Sequence, residues 1–141
     1  MKPQSLTLTI SIALFVASLT QTAVNMGNDY MLSIACLLLG WAEVFEGGIA
    51  WLANPLLFIS WLLLIIKQPK ISAPLSLIAF FLSLSYLSVS TITVNEGGGK
   101  AEITSYDLGY YLWLASSISL SIGSIWTIIS NRRPIAEKSS V

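Results

Sequence analysis

Four apolar segments that contain no Lys, Arg, Asp or Glu occupy most of this chain and constrain its fold more than any other feature. They cover residues 6–24, 49–66, 74–94 and 108–130. A bilayer core about 30 Å thick is crossed by roughly 20 helical residues, so each segment has about the required length. The sequence therefore predicts an all-α integral membrane protein: a four-transmembrane-helix bundle that forms a single membrane domain over residues 1–141.

The low charge content supports this prediction. Charged residues make up only 10% of the chain and hydrophobic residues 55%, whereas an average soluble domain is about 25% charged. A soluble protein of this composition would leave large apolar patches in contact with water. The expected partner of most side chains is therefore the lipid bilayer.

The first segment has two alternative interpretations. Residues 6–12, LTLTISI, alternate between apolar and polar side chains, as a β-strand does. A lone strand cannot satisfy its backbone hydrogen bonds in lipid, which favours a helix. The segment also resembles a signal peptide, but it has only Lys2 before it and TQTA is a poor cleavage site. A retained helix is the preferred prediction.

A fifth apolar segment, residues 30–45, is shorter and ends near acidic side chains. We predict that it forms a short interfacial or re-entrant helix that does not cross the bilayer. The rival hypothesis is five crossings with the N-terminus outside. The distribution of positive charge decides between them.

Basic side chains flank the segments at three places, and these places define the predicted orientation. They are Lys2, the loop with Lys67 and Lys70, and the polar tail 131–141 with Arg132, Arg133 and Lys138. The positive-inside rule puts all three in the cytoplasm, and two cytoplasmic termini require an even number of crossings. The short loops suit a small protein of the bacterial inner (plasma) membrane.

Glu43, Glu46 and Asn54 are the candidate site. The two carboxylates are three residues apart, so on a helix they share one face. Ionisable side chains inside a membrane are costly, and their usual explanation is functional, here a cation or proton site to which Asn54 adds an oxygen. The alternative is a solvated outer turn, in which Gly47 and Gly48 reverse the chain and Asn54 caps the next helix.

Ala115, Ser119 and Gly123 recur every four residues in the last apolar segment. Small residues at this spacing allow two helices to approach closely. The sequence predicts that they pack on another helix of the same chain, with packing in a homo-oligomer as the alternative.

The residues needed for catalysis are scarce. The chain has no His, so neutral-pH general base catalysis and the commonest transition-metal ligand are missing. Cys36 is the only cysteine and has no basic neighbour in the sequence to activate it. A formal net charge of zero gives no basic face for nucleic acid. No cofactor motif or metal-ligand spacing occurs.

Two functional hypotheses follow. The first is a non-enzymatic accessory or interaction protein that acts through a membrane-protein partner. The second is a small transporter or channel subunit that uses Glu43 and Glu46 for a cation or proton.

Overall fold

The computed structural model describes residues 1–46 and 48–139, and the side chains of residues 1–46 and 48–132. The chain is mostly helical, at 71%. The α-helices are α1 (Pro3–Leu19), α2 (Ser33–Leu39), α3 (Ala53–Ile65), α4 (Pro69–Ser85) and α5 (Leu108–Ser139). Short 3₁₀ helices cover Gly40–Glu46, Ile49–Leu52 and Tyr86–Ser88.

Two small antiparallel sheets lie between the helices in the sequence. The strands are β1 (Thr22–Met26), β2 (Asp29–Leu32), β3 (Thr91–Thr93), β4 (Lys100–Glu102) and β5 (Ser105–Tyr106). One sheet has the order β2-β1-β5 and the other pairs β3 with β4. Gly27 has a φ of 71° in the turn between β1 and β2, a conformation that glycine adopts without steric cost. Because the chain contains these two sheets, the prediction of an all-α fold is wrong.

The long helices pack through their small and hydroxylated side chains. Helix α5 packs against α1 and α4, and α4 also packs against α3. Fully buried serines lie on all four of these helices, for example Ser11, Ser60, Ser83 and Ser116. Large apolar side chains on α4 and α5 point outward instead, and Ile122 is 62% exposed. On α4 and α5 the buried faces therefore carry serine and threonine hydroxyls and the outward faces carry large apolar side chains, the reverse of a surface helix in a soluble domain.

The prediction of four transmembrane helices is wrong. Within the described residues, only Pro69–Ser88 and Leu108–Arg132 are long and apolar enough to cross a membrane. The other two apolar helices, Pro3–Leu19 and Ile49–Ile65, are shorter. At 1.5 Å per residue, 17 helical residues reach only about 26 Å, less than the thickness of a bilayer core.

The boundaries of the helices in the first and third segments also differ from the prediction. The first helix stops at Leu19, and Thr22–Val24, which were predicted to continue it, belong to β1. The helix of the third segment begins at Pro69, so Pro74 lies inside it, and its last predicted residues form β3. Apolar composition alone does not distinguish a helix from a buried strand. The sequence therefore predicts helix for uncharged residues at the segment ends that form strands in the structure.

The remaining predicted boundaries also shift. Residues 30–45 form the end of β2, the seven-residue helix α2 and a 3₁₀ helix rather than one interfacial helix. The predicted tail continues α5 as far as Ser139. Gly47, residues 140 and 141, and the side chains of Arg133 and Lys138 lie outside the described part of the chain.

Charged side chains separate to opposite ends of the helices. Lys70 and Arg132 line one shallow depression together with Pro69. The start of α4 therefore lies beside the part of α5 around Arg132, where its membrane-spanning length ends. The Gln4 side chain donates to the carbonyl of Leu64, which brings the start of α1 to the same end. We call this end the basic end. The acidic end is the opposite one, where the strands and 3₁₀ helix Gly40–Glu46 lie.

Candidate functional site

A cavity of about 520 Å³ lies at the acidic end. Its walls come from the end of α1, from α2, from the first two 3₁₀ helices, from the β3 region and from the start of α5. Small-molecule sites in proteins usually have volumes of roughly 300–1,000 Å³ and mostly apolar walls. The cavity therefore has the size of a small-molecule site, and Glu43, Glu46 and Asn54 all line it.

Glu43 is half-buried and connects two parts of the cavity wall. Its Oε1 atom accepts a hydrogen bond from the backbone amide of Thr93 in β3, at 2.9 Å. The carboxylate therefore holds the 3₁₀ helix Gly40–Glu46 against the β3–β4 hairpin. Among the described residues the Glu43 carboxylate accepts this one hydrogen bond, and a carboxylate has further lone pairs for a ligand.

Glu46 is exposed at the rim and pairs with a lysine. Its Oε2 atom lies 3.0 Å from Nζ of Lys100 in β4, and both side chains are about half exposed. The hydrogen bond from Lys100 to Glu46 raises the pKa of the lysine, and the attraction of the two charges adds to the shift. Glu46 therefore forms the salt bridge with Lys100, and the nearby charge of Glu43 also raises the pKa of that lysine, by less.

Asn54 lies deeper than its predicted role as a helix cap requires. The cap of α3 is Leu52, which makes no side-chain capping bond, and Asn54 is the second residue of the helix. Asn54 is 5% exposed, and its Oδ1 atom accepts a hydrogen bond from Nε1 of Trp113, at 2.9 Å. The amide therefore joins α3 to α5 at the cavity wall.

Aromatic side chains form much of the wall, and sequence analysis did not identify them as site residues. They are Phe15, Trp41, Trp51, Tyr86, Tyr110 and Trp113. Nε1 of Trp51 donates to the carbonyl of Leu37 at 2.9 Å, and the hydroxyl of Tyr110 donates to the carbonyl of Ser83 at 2.9 Å. The GYYLW motif contains two of them, but nothing in its sequence separates the buried Tyr110 from the exposed Tyr111.

Two small polar residues of α2 also line the cavity. Burial raises the pKa of the Cys36 thiol to about 11, so the thiol is neutral near pH 7 and a poor nucleophile. Ser33 is buried, and its hydroxyl has no hydrogen-bond partner among the residues that the structure describes. Nearly all buried polar groups in native proteins have a partner, so this hydroxyl needs an explanation.

The predicted packing residues lie on α5 with unequal burial. Gly123 is buried, and a Cβ atom built on it would lie 2.1 Å from Oγ1 of Thr7 in α1. Ala115 and Ser119 are only half-buried, and the Ser119 hydroxyl donates to the carbonyl of Ser116 in its own helix. Gly123 is therefore the residue of the three at which the two helices approach most closely.

The polar side chains that could bind a ligand are thus Glu43 and Asn54, which lie among the aromatic side chains of the wall. Among the described residues, no group of three or more His, Cys, Asp or Glu side chains is arranged to hold a metal ion. No protein-family model matches the chain, and neither a curated protein nor a solved structure matches it significantly.

Proposed function

We propose that this chain is a small multi-pass membrane protein without enzymatic activity that acts through a partner in the same membrane. The observation that supports this proposal best is the distribution of polar and apolar side chains around α4 and α5, the two helices long enough to span a membrane. Serine hydroxyls face the helix contacts, and large apolar side chains such as Phe81 and Ile122 face outward. Helices in lipid associate in this way, through small residues and hydroxyl hydrogen bonds.

The chemistry of the polar side chains favours a non-enzymatic role. Buried serines are used in helix packing, as when the Ser72 hydroxyl donates to the carbonyl of Ser60 at 2.9 Å. The Cys36 thiol is neutral at physiological pH because its pKa is raised by burial. A nucleophile needs an adjacent base or a lowered pKa, and the chain has no His to serve as that base.

The separation of charge supports a particular orientation. Lys70 and Arg132 lie together at the basic end, whereas Glu43, Glu46 and Glu96 line the cavity at the acidic end. By the positive-inside rule the basic end lies in the cytoplasm, so α4 runs outward and α5 runs back. The chain termini are then cytoplasmic and the cavity opens on the outer side, an arrangement that suits a bacterial inner-membrane protein.

Photo-crosslinking from the outward faces tests the partner proposal. We expect a photoreactive residue in place of Phe81 or Ile122, which are 58% and 62% exposed, to crosslink to one protein in stoichiometric yield in native membranes. The same residue in place of the exposed Thr104, which lies at the acidic end, is the matched control. Crosslinks only to lipid at both helix positions, together with a monomeric mass in mild detergent, would contradict the proposal.

A second candidate function is a transporter or channel subunit for a cation or proton. One observation favours it: Asn54 of α3 lines the same cavity as Glu43 and Glu46 of the 3₁₀ helix Gly40–Glu46. Flux of a cation or of protons in proteoliposomes tests this function. Flux that is abolished by Glu43→Gln and kept in Glu102→Gln would replace the first proposal.

A further inference from the structure

The charges around the cavity indicate which kind of ligand it accepts. Glu43, Glu46 and Glu96 line it, and no Lys or Arg is present among its described lining residues. Lys100 neutralises Glu46 at the rim, whereas Glu43 is bonded to a backbone amide. Glu43 makes no salt bridge among the described residues and interacts with Lys100 only at longer range. This half-buried carboxylate therefore attracts further positive charge, and the effect is stronger where water is partly excluded.

The aromatic rings give the cavity a second means of attracting a cation. The polar atoms of Trp51, Tyr110 and Trp113 are bonded to the protein, as described above. These bonds fix the positions of the three rings in the cavity wall. Aromatic faces attract ammonium-type cations within about 6 Å of the ring centre, and tryptophan attracts them most strongly.

An inorganic ion is a poor match for the site. A hard cation such as Ca²⁺ takes six to eight oxygen ligands at about 2.3–2.6 Å. No group of three or more acidic or other metal-binding side chains is gathered in the described part of the chain, and the space of about 520 Å³ is far larger than an ion. An apolar body is needed to fill it.

We propose that this cavity binds an organic cation with a bulky apolar body, whose positive charge lies beside the Glu43 carboxylate. The proposal goes beyond the function proposed above, because such a ligand would bind whether or not a membrane partner is present. It names Glu43 as the charge-recognition residue and the ring wall as the site of the apolar body.

Two ions of the same shape and opposite charge test this proposal. Tetraphenylphosphonium and tetraphenylborate are titrated into the full-length protein in nanodiscs, and the heat is compared with that of empty nanodiscs. We expect saturable binding of one tetraphenylphosphonium per chain and only unsaturable partitioning of tetraphenylborate. Equal binding of the two ions, or partitioning of both, would overturn the proposal.

Charge-removing variants locate the ion within the protein. Glu43→Gln keeps an acceptor for the Thr93 amide, and we expect it to weaken tetraphenylphosphonium binding about tenfold, or 1.4 kcal/mol. Glu102→Gln removes an exposed carboxylate of β4 that does not line the cavity, and its affinity is expected to stay within about twofold of the unchanged protein. Equal affinity of the unchanged protein and Glu43→Gln contradicts the proposed position of the charge.

A readout on the unmodified chain keeps the test decisive if a variant fails to fold. Cys36 lines the cavity and is the only cysteine. Its raised pKa makes the thiol slow to react at neutral pH, so its alkylation by N-ethylmaleimide is followed at about pH 9, where a measurable rate in the protein without added ion serves as the reference. Tetraphenylphosphonium is expected to slow the alkylation at least about fivefold at saturation, whereas tetraphenylborate leaves it unchanged. Equal rates with and without tetraphenylphosphonium would overturn the proposal.

Discussion

Ser11 of α1 and Ser116 of α5 exchange hydrogen bonds across the helix contact. The Ser11 hydroxyl donates to the Ser116 carbonyl at 3.0 Å, and the Ser116 hydroxyl donates to the Ser11 carbonyl at 2.8 Å. Nε1 of Trp61 in α3 also donates to the Ser11 hydroxyl, at 2.9 Å. One fully buried pair therefore joins three helices. Its bonds fix how far each helix is displaced along its axis relative to the other two.

We expect Ser11→Ala to destabilise the protein by about 1–2 kcal/mol, because it removes this exchange and leaves the Trp61 N–H without its acceptor. Ser116→Ala should cost less, and the double variant should show a coupling of about 0.5–1.5 kcal/mol. Thermal unfolding in detergent provides the measurement. Thr9→Ala, which removes an exposed hydroxyl bonded within its own helix at 2.9 Å, is the control; an equal loss there would contradict the assignment.

Gly123→Ala is expected to separate α1 from α5. The added Cβ atom would lie 2.1 Å from Oγ1 of Thr7, and both helix backbones would have to shift. Overpacking of this kind typically costs about 1–3 kcal/mol. Gly97→Ala, in a loop where the nearest atom is 3.4 Å from the new Cβ, should change stability by less than about 0.5 kcal/mol. Comparable unfolding temperatures for the two variants would show that the helix contact is adaptable.

The sequence predicted the apolar helices better than their surroundings. The second segment was predicted at 49–66, and the helices there cover Ile49–Ile65; the last was predicted to begin at residue 108, where α5 begins. The end of the first helix could not be predicted, because Thr22–Met26 is as uncharged as the residues before it. Its strand pairs with the neighbouring Asp29–Leu32 and also with Ser105 and Tyr106, which are remote in the sequence.

The candidate site was predicted in part. The acidic side chains of Glu43 and Glu46 stood out in an apolar chain, and both line the cavity with Asn54. Their protein partners, Thr93 and Lys100, lie in a hairpin whose position depends on tertiary folding. That the Ser33 hydroxyl is buried without a hydrogen-bond partner among the described residues could not be predicted from the sequence either. Burial and hydrogen bonding are properties of the folded chain.

The Cys36 thiol gives a prediction about pH. Its pKa is raised from 9.0 to about 11 by burial, so the folded state disfavours the thiolate. Stability from this group is complete below the pKa of about 9 in the unfolded chain and is lost as the pH rises from 9 towards 11. Unfolding midpoints measured from pH 8 to 11 should fall less in Cys36→Ala than in the unchanged protein. If the unfolding midpoint depends on pH in the same way in both proteins, the raised pKa of Cys36 is contradicted.

The orientation proposed above predicts opposite accessibilities at the two helix ends. In a Cys36→Ala background, Asn28→Cys should react with a membrane-impermeant thiol reagent added outside intact cells, and Gln68→Cys should react only after permeabilisation. Both residues are exposed, so burial does not bias the comparison. Labelling of Asn28→Cys only from the cytoplasmic side would reverse the orientation.

The pairing of β1 with β5 sets an order of events during synthesis. Val24 is opposite Tyr106, and Asn25 is opposite Ser105, so the ribosome must complete α4 before the middle strand of this sheet has both neighbours. Until then β1 has only β2 beside it, and a two-stranded hairpin is marginally stable alone. The cavity wall is therefore finished late, after the first of the two long apolar helices has left the ribosome.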